Sequence, residues 1–424
     1  MIVNTLELEP SASEGPAGSR QVLGASAAWR VAIVFACAIT LTVAGYQFGG
    51  SNHTVYLLDA MRHAHPELLQ RDWFTTQTLQ YHALFGLLTR GLMRAGILEP
   101  AFLVGYLVTV VVLQWAWAGI ARVLGGSPAT YLVSVVLYYL LAAGTGLGFF
   151  SLEQDGAFLP SNVANAALLC AVYLYVAGRL GWSWVWLGVA GLFHLNHAVT
   201  GAAIWAGLTL WQGRRARAEW VGIAVGGLLC LVNVAVASRV VLGRSGKLPL
   251  DEFIALYVRL RHPHHMDVWS WPVAVWACFL LPVVAGGIAS VYAPPTGEWV
   301  RFRRVFVAFV GVIAVALATA GFWIAGETFV QMQWYRFSVY PKLLGCVACA
   351  YALGRAWARS PRMVIGVVAA GLVVVGVAAI GMTGEQARVL REVVGQHAFA
   401  VGMFVALSGV GLAVLSRVMR GRGG

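Results

Sequence analysis

Acidic side chains are scarce in this sequence: 17 Asp and Glu stand among 424 residues, and charged residues of every kind make up only 11%. Together with 59% apolar residues and a mean hydropathy of +0.75, that scarcity excludes an ordinary soluble globular chain. The usual nucleotide-binding and hydrolytic signatures are also missing. No Walker loop, no GxGxxG after a strand, no GxSxG and no HExxH occurs in a supporting context, which argues against a nucleotide-driven machine. A disulfide framework is not expected either, because all six cysteines (Cys37, Cys170, Cys230, Cys278, Cys346, Cys349) fall inside apolar runs, where a thiol acts as a small hydrophobe. Cys346 and Cys349 form a CxxC, but that motif needs a polar, accessible setting for redox or metal chemistry.

The excess of 29 Lys and Arg gives a net charge of +12. These residues lie in short runs between apolar segments rather than on one polar face: Arg214, Arg215 and Arg217; Arg301, Arg303 and Arg304; Arg355, Arg359 and Arg362; Arg417, Arg420 and Arg422. That distribution reads as cytoplasmic loop anchoring and not as a nucleic-acid surface.

What is present is a series of long apolar runs. Twelve are long enough, or nearly so, to cross a hydrocarbon core of roughly 30 Å: 30–48, 101–121, 129–149, 162–178, 181–195, 198–212, 220–242, 272–293, 305–325, 336–356, 362–382 and 397–416. The expected fold class is therefore an all-α polytopic membrane protein with about 12 transmembrane helices. The segment from Tyr81 to Ile97 is apolar on one side but carries Arg90 and Arg94, and it reads as an interfacial helix lying flat. With that choice the N-terminus and every basic run share the cytoplasmic side. Residues 1–27 read as a disordered cytoplasmic tail, 28–270 as a first transmembrane module with outer loops 49–99, 150–161 and 243–271, and 271–424 as C-terminal helices.

The unusual chemistry gathers on the other, outward side, which suggests a site in an outward-facing cavity. SNHTVYLLDAMRHAHPELLQRDWF follows the first span, and its Tyr56, Asp59 and His63 share a helix face; a simply wet interfacial helix is the plainer alternative. Glu153 and Asp155 precede a span, where helix capping offers an explanation without function. His194 and His197 have i, i+3 spacing, suited to a metal or to satisfying carbonyls freed at a helix break. RLRHPHHMD supplies Arg259, Arg261, His262, His264 and His265, a donor cluster suited to a phosphate or diphosphate, with a zinc site or an interfacial loop as alternatives. Arg336, at the start of a late span, is a further candidate for an anion contact.

Taken in order, these features resemble the GT-C class of integral-membrane glycosyltransferases, which use sugars carried on polyprenyl phosphates, and in particular the relatives of the aminoarabinose transferase of lipid A. The resemblance covers roughly the first 270 residues. It rests on Asn52, His53, Tyr56, Ala60, Arg62 and Arg71-Asp72-Trp73 after the first span, on the flat helix, on Asp155, on GLFHLNHAVTGAA and on EFIALYVRLRHPHH. It implies a polyprenyl-phosphate-linked sugar as partner, the lipid bilayer as medium, and a multi-pass inner-membrane protein with its active site facing outward. The sequence departs from the family at one important point: Asn52 and His53 stand where the family usually has its catalytic Asp, and Asn accepts no proton at physiological pH. Asp59 is then the expected base, with His53 and Asp72 in reserve. Arg259, Arg261, His264, His265 and Arg336 are expected to hold the donor phosphate. Glu153, Asp155, His194 and His197 are expected to meet the acceptor or a divalent metal ion. A transporter or flippase of a lipid-linked or anionic solute, and a His-dependent membrane metal enzyme, are the competing functions.

Overall fold

The computed structural model describes residues 16–71, 82–213, 216–241 and 248–361. Among the described residues there are helices and irregular segments and no strand, the architecture lipid demands of an open chain because each helix satisfies its own backbone. The first helix, α1, spans Pro16–Ala44. Two short helices follow, α2 at His53–Ala64 and α3 at Ala83–Arg94. Leu98–Val123 forms α4, Pro128–Leu140 α5 and Pro160–Val176 α6. Then come α7 (Leu180–Phe193), α8 (Ala202–Gln212) and α9 (Arg217–Val241). The last three long helices among the described residues are α10 (Val273–Val291), α11 (Gly297–Ala316) and α12 (Val339–Arg359).

Among the described residues six stretches are long and apolar enough to cross a membrane: Ser26–Ala44, Leu98–Val123, Arg217–Val236, Val273–Val291, Gly297–Phe322 and Trp334–Arg359. Ten of the twelve expected runs fall on described helices, but four of those helices are short or bent. The runs at 362–382 and 397–416 lie outside the described residues. The helix at Ala83–Arg94 is 12 residues long, too short to cross, as expected of a flat segment.

The expected span at 129–149 needs correction. Helix α5 stops at Leu140, and the chain then runs irregularly from Leu141 to Leu159, so the loop expected at 150–161 begins nine residues earlier. Backbone geometry is the reason. Ala142, Ala143, Phe149 and Asp155 take φ between 49° and 61°, a region that L residues enter only when their surroundings hold them there. Side chains of other helices provide the hold. Ser338 Oγ accepts from Leu147 N at 2.8 Å, and Lys342 Nζ donates to the carbonyls of Leu141 and Thr145. Asn162 bonds the carbonyls of Gln154 and Ala157, while Asn165 bonds those of Ser151 and Leu152. Irregular backbone is tolerated in a membrane protein where protein groups, not lipid, surround its polar atoms.

Close helix packing sets the frame around this segment. A Cβ on Gly226 would lie 2.0 Å from Trp184 O, and one on Gly286 would lie 2.3 Å from Gly345 Cα, so α7 with α9, and α10 with α12, meet backbone to backbone. The expected pair of short helices at 181–195 and 198–212 is observed as α7 and α8, separated by His194 in extended conformation and a π-helical turn at His197–Gly201.

Candidate functional site

The irregular 141–159 segment, the α7–α8 break, α2, α3, the 248–271 segment and the start of α12 converge at one end of the helices. Arg336 stands at their meeting point. Its side chain is 7% exposed. Nη1 donates to Gln154 Oε1 at 3.2 Å and Nη2 to Gln333 Oε1 at 3.0 Å, and the guanidinium carbon lies 4.6 Å from the centre of the Phe150 ring. Nε has no hydrogen-bond partner among the described residues, and no acid there forms an ion pair with this group. Among the described residues only neutral amides and a ring touch the guanidinium, with Asp155 acting on it at longer range, and a buried cation with no acid in contact is suited to binding an anion.

Histidines surround it. His265 stacks on Phe150 with ring centres 4.6 Å apart, and its Nδ1 donates to Gly148 O at 2.6 Å. His82, at the start of α3, donates from Nδ1 to Phe193 O at 3.0 Å, and its ring lies 5.0 Å from Tyr56 and 5.2 Å from His194. Burial pushes both imidazoles down to about 4, and Arg336 adds to the depression, so both are neutral at physiological pH. His194 and His197 lie ring to ring at 5.0 Å.

The tautomer of His197 follows from its partner. Asn165 Nδ2 donates to two carbonyls and its Oδ1 accepts from Tyr340 at 3.1 Å, which fixes the amide. His197 Nε2, 3.0 Å from that Oδ1, must be the N–H, and Nδ1 carries a lone pair. This Nδ1 and that of His194 are buried without a partner among the described residues. His197 Nδ1 is therefore an open acceptor, while His194 Nδ1 is an open donor or acceptor according to its tautomer.

Asp155 and Asn52 form the second half of the site. Asn52 Nδ2 donates to Asp155 Oδ2 at 2.6 Å, and its backbone N lies 3.4 Å from the same oxygen. Gln47 fixes the backbone beneath, donating from Nε2 to Asp155 O at 2.7 Å and from its N to Gly156 O at 2.9 Å. The amide that replaces the expected catalytic Asp is thus a donor that orients another carboxylate. Asp155 is half-buried, and its Oδ1 has no hydrogen bond among the described residues.

The remaining expected residues are placed as follows. His53 is fully buried: its Nε2 faces Phe158 O at 3.0 Å and its Nδ1 accepts from Gly49 N at 3.1 Å, so both ring nitrogens are committed and none is open to act as a base. Burial lowers its pKa, consistent with a structural, neutral ring. Asp59 stands on α2, with its side chain outside the described residues, as is the whole of Asp72. Glu153 is buried, 4% exposed, and takes a hydrogen bond from Tyr139 at 3.0 Å, which turns it to the core. Of the RLRHPHH cluster only His265 joins Arg336. Arg259, Arg261 and His264 are exposed.

The metal expectation finds no donor set. Among the described residues no group of three or more His, Cys, Asp or Glu could hold an ion. Glu153 and Asp155 are engaged by Tyr139 and Asn52, and His197 has given one nitrogen to Asn165. Sequence reasoning missed His82, Phe150, Gln154, Gln333 and Asn165. His82 alone had a signal, as a histidine opening an otherwise apolar flat helix. Comparison with family models, curated proteins and solved structures gives no match for this chain.

Proposed function

We propose that this chain is a GT-C-like membrane glycosyltransferase that moves a sugar from a polyprenyl-phosphate donor to an acceptor hydroxyl at the outer face of the inner membrane. The observation that carries this reading is Arg336, buried, with no acid in ion-pair contact and with Nε unbonded among the described residues. One buried cation among neutral histidines matches one negative charge, which favours the phosphodiester of a monophosphate-linked sugar over a diphosphate. Asp155 takes the base role that sequence order gave to Asp59. Its Oδ1 receives the acceptor hydroxyl proton, the acceptor hydroxyl oxygen bonds to the anomeric carbon, and the bond from the anomeric carbon to the phosphate oxygen breaks with its electron pair leaving on the phosphate. Asn52 holds the other carboxylate oxygen.

The test is transfer of radiolabel from a panel of polyprenyl-phosphate sugars by the purified protein. Transfer that is lost in both Arg336→Gln and Asp155→Asn supports the reading; transfer that survives both contradicts it. A transporter of an anionic solute is the second reading. It is favoured by Lys342, fully buried inside the Trp334–Arg359 span, where its ammonium donates to the carbonyls of Leu141 and Thr145 and lies 5.0 Å from the centre of the Tyr138 ring. Solute flux in proteoliposomes that persists in Asp155→Asn, with no sugar transfer, would favour it.

A further inference from the structure

The two arginines that the site leaves outside, Arg259 and Arg261, lie on a turn with an inverted polarity. In the π-helical turn Ile254–Arg261 the inward residue Val258 is 1% exposed, while Leu256 and Leu260, four apart and therefore on one face, are 51% and 74% exposed. Arg259 and Arg261 flank Leu260, are exposed themselves, and make no ion pair or hydrogen bond among the described residues. Exposed leucines beside arginines that have no partner among the described residues suit a medium that is apolar on one side and anionic on the other.

The ends of two candidate spans give the level of that medium. Val273–Val291 begins just after Trp269, which is 76% exposed, and Gly297–Phe322 ends beside Trp323, 77% exposed. Trp269 and Phe322 touch, with ring centres 5.4 Å apart. Exposed aromatics at the joined ends of two spans mark a membrane–water interface. The turn precedes this belt by eight residues. The charged and titratable groups nearest it along the chain are Asp251 and Glu252 in the preceding helical turn, and His262, His264, His265 and Asp267 after it. His265 is turned inward to Gly148, and Asp267 caps the Trp269 backbone nitrogen at 3.1 Å.

We propose that Arg259 and Arg261 bind the phosphate head groups of anionic phospholipids while Leu256 and Leu260 enter the acyl boundary beneath them. The surface is therefore a lipid-binding lip beside the Arg336 site, separate from it in ligand and independent of the proposed sugar transfer.

Delipidated protein titrated with phosphatidylglycerol or phosphatidylcholine, and read by native mass spectrometry, tests this. Wild type is expected to prefer phosphatidylglycerol. The Arg259→Gln/Arg261→Gln variant should lose roughly thirtyfold of that preference, about fivefold for each basic residue at an anionic surface. Excess inorganic phosphate should leave binding in place, because the leucines contribute only with a lipid; full competition by phosphate would overturn the lipid assignment in favour of a free-anion site. Should the double variant fail to fold, the wild-type preference must still collapse in high salt. A preference unchanged in the variant, or in salt, overturns the proposal.

Discussion

Replacing Arg336 by Met separates a binding role from a bracing role. In the unliganded protein the two effects on stability oppose each other. Two charge-assisted hydrogen bonds, to Gln154 and Gln333, are lost, at about 1.5–3 kcal/mol each. Against this, an uncompensated guanidinium no longer has to be buried, and that penalty is several kcal/mol in a real protein interior. These terms are of similar size, so the variant should unfold within about 2 kcal/mol of wild type. Anion affinity has no such compensation. Removing the charged partner of a buried anion costs about 2–5 kcal/mol, equivalent to a roughly 30-fold to several-thousand-fold weaker Kd. Isothermal titration with farnesyl phosphate and fluorescence-detected thermal unfolding in the same detergent measure both quantities. Unchanged farnesyl phosphate binding together with a large loss of stability would refute the reasoning and make Arg336 a structural brace.

Three further outcomes follow from the same geometry. Asn52→Leu strips the Asp155 carboxylate of its donor and should lower stability by about 1.5–3 kcal/mol; an unaltered Tm would mean that the pair carries no energy. Gly156→Ala places a Cβ 2.3 Å from Ala44 O at a φ of +55°, so thermal unfolding should show a clear loss, of order 1–3 kcal/mol from the backbone strain alone. His82 and His265 sit at about 4 in the fold against about 6.5 in an unfolded chain. The unfolded state binds more protons in that window, so the stability from keeping these rings neutral is complete above pH 6.5 and is lost as pH falls toward 4. Thermal unfolding across that range should show the loss, and it should be shallower in His265→Gln; an identical slope in the two proteins would count against the assignment.

Hydrophobic run length made the helical membrane class legible, because a run such as 101–121 has only one way to satisfy its backbone in lipid. It did not reveal the break after Leu140. Residues 141–149 are as apolar as a span, and what bends them is the positive φ of Ala142 and Ala143 and the reach of Ser338 and Lys342, some two hundred residues away in sequence. The candidate site was partly legible. Arg336, Asp155, His194, His197 and His265 stood out as polar groups in a charge-poor chain, and the structure gathers them. Arg259 and Arg261 stood out for the same reason, yet they face outward, because composition within a loop does not tell which side of a turn packs. Nor could local sequence show that Asn52 had become the donor to Asp155, a pairing across 103 positions.

The most direct test of the central claim is a structure of the protein with a bound polyprenyl-phosphate sugar. The account places the phosphate within hydrogen-bond reach of the Arg336 guanidinium and the acceptor side of the sugar toward Asp155 Oδ1. A phosphate seated elsewhere, with Arg336 still bonded only to Gln154 and Gln333, would contradict it.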